Sequence, residues 1–130
     1  MRYLLDTHII LRLATNSPNL SDKAKNIILD EDNEKYVSVA SCWEATVKIS
    51  LKKLVIDGGI KEFYNIIREN NFGLLEIHEE HLKILESLPF LHRDPFDRLL
   101  VATAIADGLI LLTDDIQIRE YGKERLQIVS

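Results

Sequence analysis

The chain has 130 residues, 46% of them hydrophobic and 28% charged, which suits one domain with a core, spanning 1–130, and leaves no room for a second. A formal net charge of −5 excludes a protein that coats duplex nucleic acid through a basic surface, but not an enzyme that meets a few nucleotides through a bound cation. The one cysteine, Cys42, excludes an internal disulfide and suits a reducing compartment.

Tyr3-Leu4-Leu5 reads as a buried strand that stops at Asp6, and His8 to Ala14 as a short helix. A turn at Asn16-Ser17-Pro18-Asn19 leads to helical spacing over Leu20 to Leu29, with Ser21 or Asp22 as the cap. Tyr36-Val37-Ser38-Val39 is a second short strand, and Ser41 then opens a helix carrying Trp43, Val47, Ile49 and Leu51. Ile60 to Arg68 is a third helical pattern behind Gly58-Gly59, Leu74 to Ile77 a weak strand, and Glu79 to Leu88 a helix stopped by Pro89. Asp94-Pro95 starts a long helix through Ala106, ended by Gly108. Leu109 to Leu112 is a buried strand, and Leu126 to Val129 a last one. Strands that are continuous apolar runs, alternating with helices, predict an α/β fold: a three-layer α/β/α sandwich with a central, mostly parallel sheet.

The N-terminal apolar run is too short for a signal-peptide core. The most apolar long stretch, Leu99 to Thr113, is interrupted by Asp107-Gly108 and too short to span a bilayer. A cytoplasmic protein without a membrane segment is expected.

In that layout the acids converge. Asp6 and Asp114-Asp115 each follow a parallel strand, and Glu44 lies in the first turn of a helix that follows one. Asp97 lies in the first turn of the helix leading into the Leu109 strand, which a right-handed crossover returns to the same edge. Open α/β sheets bind their ligands at that carboxyl edge. Each acid also has a structural reading. Ser41 to Glu44 has capping-box spacing, Asp94 caps its helix with Asp97 in the favoured first turn, and Asp114-Asp115 can open a loop. Asp6 serves no capping purpose unless it accepts from the next turn. Several carboxylates at one edge repel one another and cost stability without a cation. With Mg²⁺ or Mn²⁺ they make an oxygen-ligand site able to activate water and stabilise a phosphodiester in transit.

Four segments carry a resemblance: Leu4-Leu5-Asp6-Thr7-His8, Ser38 to Glu44, His92-Arg93-Asp94-Pro95-Phe96-Asp97-Arg98 with the following Leu99 to Ala102, and Leu111-Leu112-Thr113-Asp114-Asp115. Together, in order and over essentially the whole chain, they resemble the PIN-domain ribonucleases, most closely the VapC-type toxins of toxin–antitoxin pairs. The resemblance implies an Mg²⁺- or Mn²⁺-dependent endoribonuclease leaving a 5′-phosphate, a homodimer, and a cognate antitoxin that holds it inactive. It places the metal-binding, catalytic quartet on Asp6, Glu44, Asp97 and a fourth acid. The family's Thr-any-Asp ending favours Asp115, with Asp114 the alternative. Asp94 is expected as a helix cap beside the quartet. Thr7, Ser41 and Thr113 are expected to orient carboxylates or bound waters.

Around the motifs, Arg93 and Arg98 are candidates for RNA phosphate contact, with scaffold pairing an equal reading for Arg98. Arg12 and Lys48 are further basic groups next to them. His8 and His92 could contact phosphate or act as an acid, a plain polar role being favoured. Trp43 reads by default as core, with base stacking or an antitoxin groove as its functional readings. His78-Glu79-Glu80-His81 resembles a zinc helix, but its histidines are three apart where that motif needs four, so surface residues are expected. Two other functions compete: a receiver-like Mg²⁺-binding signalling domain, which the residues after Asp6 and Leu112 match poorly, and a non-catalytic interaction module, against which four intact acids speak.

Overall fold

The computed structural model describes residues 1–123 and 128–129. In chain order the elements are β1 (Arg2–Leu5), α1 (Thr7–Ala14), α2 (Asp22–Leu29), β2 (Glu34–Ser38), α3 (Val39–Ser50), α4 (Ile60–Glu69), β3 (Gly73–Leu75), α5 (Glu79–Ser87), α6 (Pro95–Asp107), β4 (Ile110–Leu112), α7 (Ile116–Arg119) and β5 (Ile128–Val129), with a 3-10 turn at Glu120–Lys123 before β5. Among the described residues all strand pairs are parallel, in the order β3-β2-β1-β4-β5. The expected α/β/α sandwich is the observed fold.

Side chains alternate across a strand, and β1 shows what that does here. Tyr3 and Leu5 enter one core with Ile9, Ile10, Ala24, Cys42, Ala45, Phe63 and Ile67 from α1–α4. Leu4 enters the other with Leu100, Val101 and Ala104 of α6 and with Ile118 and Tyr121. Leu4 and Leu5 are both fully buried, each burial stabilising by about 1.5–3 kcal/mol. The first strand is thus the centre of the sheet, and the register Leu5↔Leu112 sets its carboxyl end beside that of β4.

Several boundaries differ from the sequence expectation. The helix after β2 begins at Val39, because Ser38 is its N-cap and accepts from the Ala40 N–H at 3.0 Å. Ser41 therefore does not open it. β3 is Gly73–Leu75 rather than Leu74 to Ile77; a Cβ on Gly73 would lie 2.6 Å from the Tyr36 ring, so only glycine allows the close pairing with β2. A short helix, α7, follows β4 where a loop was expected. Of the last predicted strand, Leu126 lies outside the described residues. Asp94, Pro95 and Gly108 delimit α6 as expected, with Gly108 in the left-handed conformation at φ 65° that suits glycine.

His81 corrects the expectation of a surface residue. It is buried. Its Nδ1 accepts from the His78 N–H at 3.1 Å, and its Nε2 faces both oxygens of Asp107 at 3.1 Å. It ties the start of α5 to the end of α6. His78 is exposed, as expected. Among the described residues no helix is long and apolar enough to cross a membrane.

Candidate metal centre

Parallel pairing of β1 and β4 sets Asp6 and Thr113 side by side just past the strands. The Asp6 N–H donates to the Leu112 carbonyl, and the Thr113 hydroxyl donates to Asp6 Oδ2 at 2.6 Å. Asp6 Oδ1 accepts from the His8 N–H at 3.5 Å, a long contact that makes Asp6 the N-cap of α1, and lies 3.7 Å from the His8 ring. Burial by itself would raise the Asp6 pKa. The His8 and Thr113 interactions outweigh it and hold the carboxyl below its ordinary value. His8 is raised in turn, chiefly by Asp6.

Glu44 is fully buried. Because α3 starts at Val39, Glu44 lies in its second turn and takes no part in a capping box. Lys48, one turn on, donates to Glu44 Oε2 at 2.8 Å, and Glu44 Oε1 has no hydrogen-bond partner. Burial would lower Lys48, yet the bond and charge of Glu44 raise it. Ser41 and Thr7, both buried, meet through a 2.7 Å hydrogen bond donated by Thr7. They brace α1 against α3.

Asp94 caps α6 as expected, its Oδ1 accepting from the Phe96 and Asp97 N–H groups at 2.8 and 3.3 Å. Asp97 is buried, and its Oδ1 is the second carboxylate oxygen without a partner. Its Oδ2 lies 3.2 Å from His92 Nε2. Burial, then the charges of Asp6, Asp94, Glu44 and Asp115, push Asp97 up to about 8.

The two candidates for the fourth acid part company. Asp114 is exposed and pairs with Arg12. Asp115 is half-buried, accepts from the Gln117 N–H at 2.8 Å as N-cap of α7, and lies 3.4 Å from His92 Nε2 through Oδ2. Thr113 joins both sides, because its hydroxyl oxygen also accepts from the Asp115 N–H at 3.0 Å.

Two groups of side chains can hold a cation with one ligand atom each within 4.8 Å of the others: Glu44, Asp94 and Asp97, and His92, Asp97 and Asp115. They share Asp97. The two partnerless buried oxygens, Glu44 Oε1 and Asp97 Oδ1, would each cost about 1–3 kcal/mol if nothing filled the space, and a hard divalent cation is the ligand that an all-carboxylate set accepts. The residues present therefore fit such an ion. Asp6 stands beside these groups as the strongest charge acting on Asp97, with one oxygen held by Thr113.

Arg98 is bound into the scaffold, though by carbonyls and a hydroxyl rather than by the Glu or Asp expected. It is buried, and its guanidinium donates to the Leu88 and Pro89 carbonyls at 3.3 and 2.9 Å and to the Tyr121 hydroxyl at 2.9 Å, under the Phe90 ring. Those donors are committed to the protein rather than to a phosphate, the other role expected of Arg98. Arg93 is exposed just before Asp94. Trp43 is not core. It is 58% exposed, and its ring meets Phe96 edge-on at 5.0 Å. Trp43 adjoins Glu44 and Phe96 adjoins Asp97 in sequence, and the ring contact joins α3 to the first turn of α6. Sequence reasoning missed the hydrogen-bonding parts of His92, Lys48 and Tyr121. Their only signal was proximity to the motifs, which does not say where a side chain points.

A family model described as the PIN domain matches residues 3–124. Compared by sequence with curated proteins, the chain matches none. Among solved structures it is similar to VapBC2 from Rickettsia felis bound to a DNA fragment from their promoter, with TM-score 0.74 and 19% identity over 99% of this chain and 98% of that one. It is similar to VapBC-1 from nontypeable Haemophilus influenzae, with TM-score 0.74 and 17% identity over 100% and 98%. It is also similar to VapBC-5 from Mycobacterium tuberculosis, a member of the VapBC family of toxin–antitoxin systems, with TM-score 0.66 and 16% identity over 98% and 97%. At these identities the likeness is one of fold.

Proposed function

The chain belongs to the PIN domain family, and from that premise we propose that it is a divalent-metal-dependent endoribonuclease, the toxin of a type II toxin–antitoxin pair. The observation that carries the nuclease reading is the pair of buried, partnerless oxygens, Glu44 Oε1 and Asp97 Oδ1, in a cluster of acids at one sheet edge. A protein that only bound a partner would lose stability to this cluster and gain nothing from it.

Glu44, Asp94 and Asp97, with Asp115 and Asp6 beside them, would hold Mg²⁺ or Mn²⁺. When bound, the ion polarises the phosphodiester and the attacking water. The protein's own groups prepare the site. Thr113 and His8 keep Asp6 ionised. Lys48 holds Glu44 Oε2 and leaves the buried Oε1 without a protein partner. Arg93, exposed beside the Asp94 cap, is placed to meet a phosphate. The RNA substrate, the homodimer and the antitoxin are read from the family. The toxin role draws support from fold likeness to proteins of toxin–antitoxin systems. The test is RNA cleavage by purified protein with added Mg²⁺ or Mn²⁺ and with EDTA. Cleavage unaffected by EDTA, or full activity in a folded Asp6→Asn variant, sinks the assignment.

A single-stranded RNA suits the aromatic pair, since an exposed ring offers any base a stacking face. Trp43 is the chain's one tryptophan, so its fluorescence reports on that ring alone. Short RNA should quench it. Trp43→Ala should raise KM about tenfold with little change in kcat, the worth of one stacked base, while Trp43→Phe keeps most of the affinity. An unchanged KM in Trp43→Ala removes the base-stacking role.

A further inference from the structure

We propose that His92 is a positioning residue: it donates from Nε2 to Asp97 and Asp115, fixes which of their oxygens face the cation, and itself stays outside the coordination shell. This rests on the nuclease reading only in supposing that a divalent cation binds the cluster.

The far side of the ring fixes the tautomer. His92 Nδ1 accepts from the Asp94 N–H at 3.0 Å, so Nδ1 carries no proton. A neutral imidazole then has its one proton on Nε2. That atom lies 3.2 Å from Asp97 Oδ2 and 3.4 Å from Asp115 Oδ2, where it can only donate. To bind a metal, Nε2 would have to lose its proton while Nδ1 already lacks one, leaving an imidazolate. His92 therefore does not use its place in the second group of possible ligands, although its nitrogen is close enough. Nor is the ring free to turn. It is buried and tied at Nδ1 to the Asp94 N–H, and the main chain is held by the His92 N–H, which donates to the Tyr121 hydroxyl at 3.1 Å.

The acids are constrained accordingly. With Oδ2 3.2 Å from His92 Nε2, Asp97 offers the cation Oδ1, the buried atom that has no hydrogen-bond partner. Asp115 has Oδ1 taken by the Gln117 N–H and Oδ2 by His92, so it shapes the field and acts through a remaining lone pair or a bound water. The coordination set is all oxygen, which suits Mg²⁺ or Mn²⁺ over ions that favour imidazole. Through the Asp94 N–H, the helix cap and the ligand-orienting histidine form one unit.

The test has three readouts that do not depend on cleavage. Long-range ¹H–¹⁵N correlation on histidine-labelled protein, with His92 assigned by His92→Gln, should show the Nε2–H form both without a metal and with saturating Mg²⁺. Electron spin echo of Mn²⁺-loaded protein should show no directly coordinated ¹⁴N. Calorimetry should find Mg²⁺ binding about 10–100-fold weaker in His92→Ala and partly recovered in His92→Gln, whose amide N–H reaches the same way. A strong ¹⁴N coupling, a switch to the other tautomer on metal binding, wild-type affinity in His92→Ala, or no recovery in His92→Gln each overturns the proposal. RNA cleavage measured alongside separates the two readings: metal binding as expected without cleavage sinks the nuclease and leaves the role of His92 standing.

Discussion

Asp97→Asn should lower RNA cleavage by about 10³-fold or more and, in metal-free protein near neutral pH, raise the melting temperature by about 10–15 °C. The two effects have one cause. In the fold Asp97 keeps its proton up to about 8, against an ordinary carboxylate value of 3.8. Between those values the native state binds more protons than the unfolded chain, so stability falls as pH rises. The penalty is absent below the lower value and complete above the upper. It amounts to a few kcal/mol, since each pH unit between the two values costs about 1.4 kcal/mol. Asparagine keeps the shape without the charge, and its amide carries no titrating proton, so its stability curve should lack that fall. Thermal melts in EDTA across the window check this. A variant no more stable than wild type at neutral pH, or one that still cleaves RNA, contradicts the assignment of Asp97.

Cation binding should release about one proton and tighten about tenfold per pH unit up to the Asp97 value. A bound cation favours the ionised carboxylate, so protons and metal compete for the same oxygen. Mg²⁺ should therefore stabilise the protein most at the alkaline end of the window, where the metal-free form is weakest. Calorimetry in two buffers of different ionisation enthalpy counts the protons. Asp6→Asn removes the largest of the four charges acting on Asp97 and should reduce the count. Binding without proton release, or with no dependence on pH, contradicts the reading.

The sheet was legible because buried parallel strands are continuous apolar runs. Tyr3-Leu4-Leu5 and Leu109 to Leu112, observed as Arg2–Leu5 and Ile110–Leu112, needed nothing more than hydrophobicity to be found. The standing of the acids was legible only in part, and in the wrong order. Glu44 seemed the one most easily explained as a cap, yet α3 begins two residues before Ser41 and Glu44 caps nothing. Asp6 seemed hardest to explain structurally, yet it is the N-cap of α1. A two-residue shift in a helix start is invisible to periodicity but decides whether a side chain stands in the first turn, where it can cap, or beyond it. Trp43 misled because its large apolar ring suggests burial, whereas its helix position sets it outside the core beside Phe96. His92 and Tyr121 could not have been assigned their roles, since these depend on contacts across 23 and 29 residues of chain.

The bond between Thr113 and Asp6 joins residues 107 positions apart, and it spans the pairing of the central strand with β4. Contacts of such long range form late, because loop closure must be met before they give anything back. During synthesis the ribosome would release β1 early, with its neighbour on one side still unmade. Asp97 and Asp115 are made well after Asp6 and Glu44. A chain that stops short of Asp97 would carry Asp6 and Glu44 without the other carboxylates of the cluster.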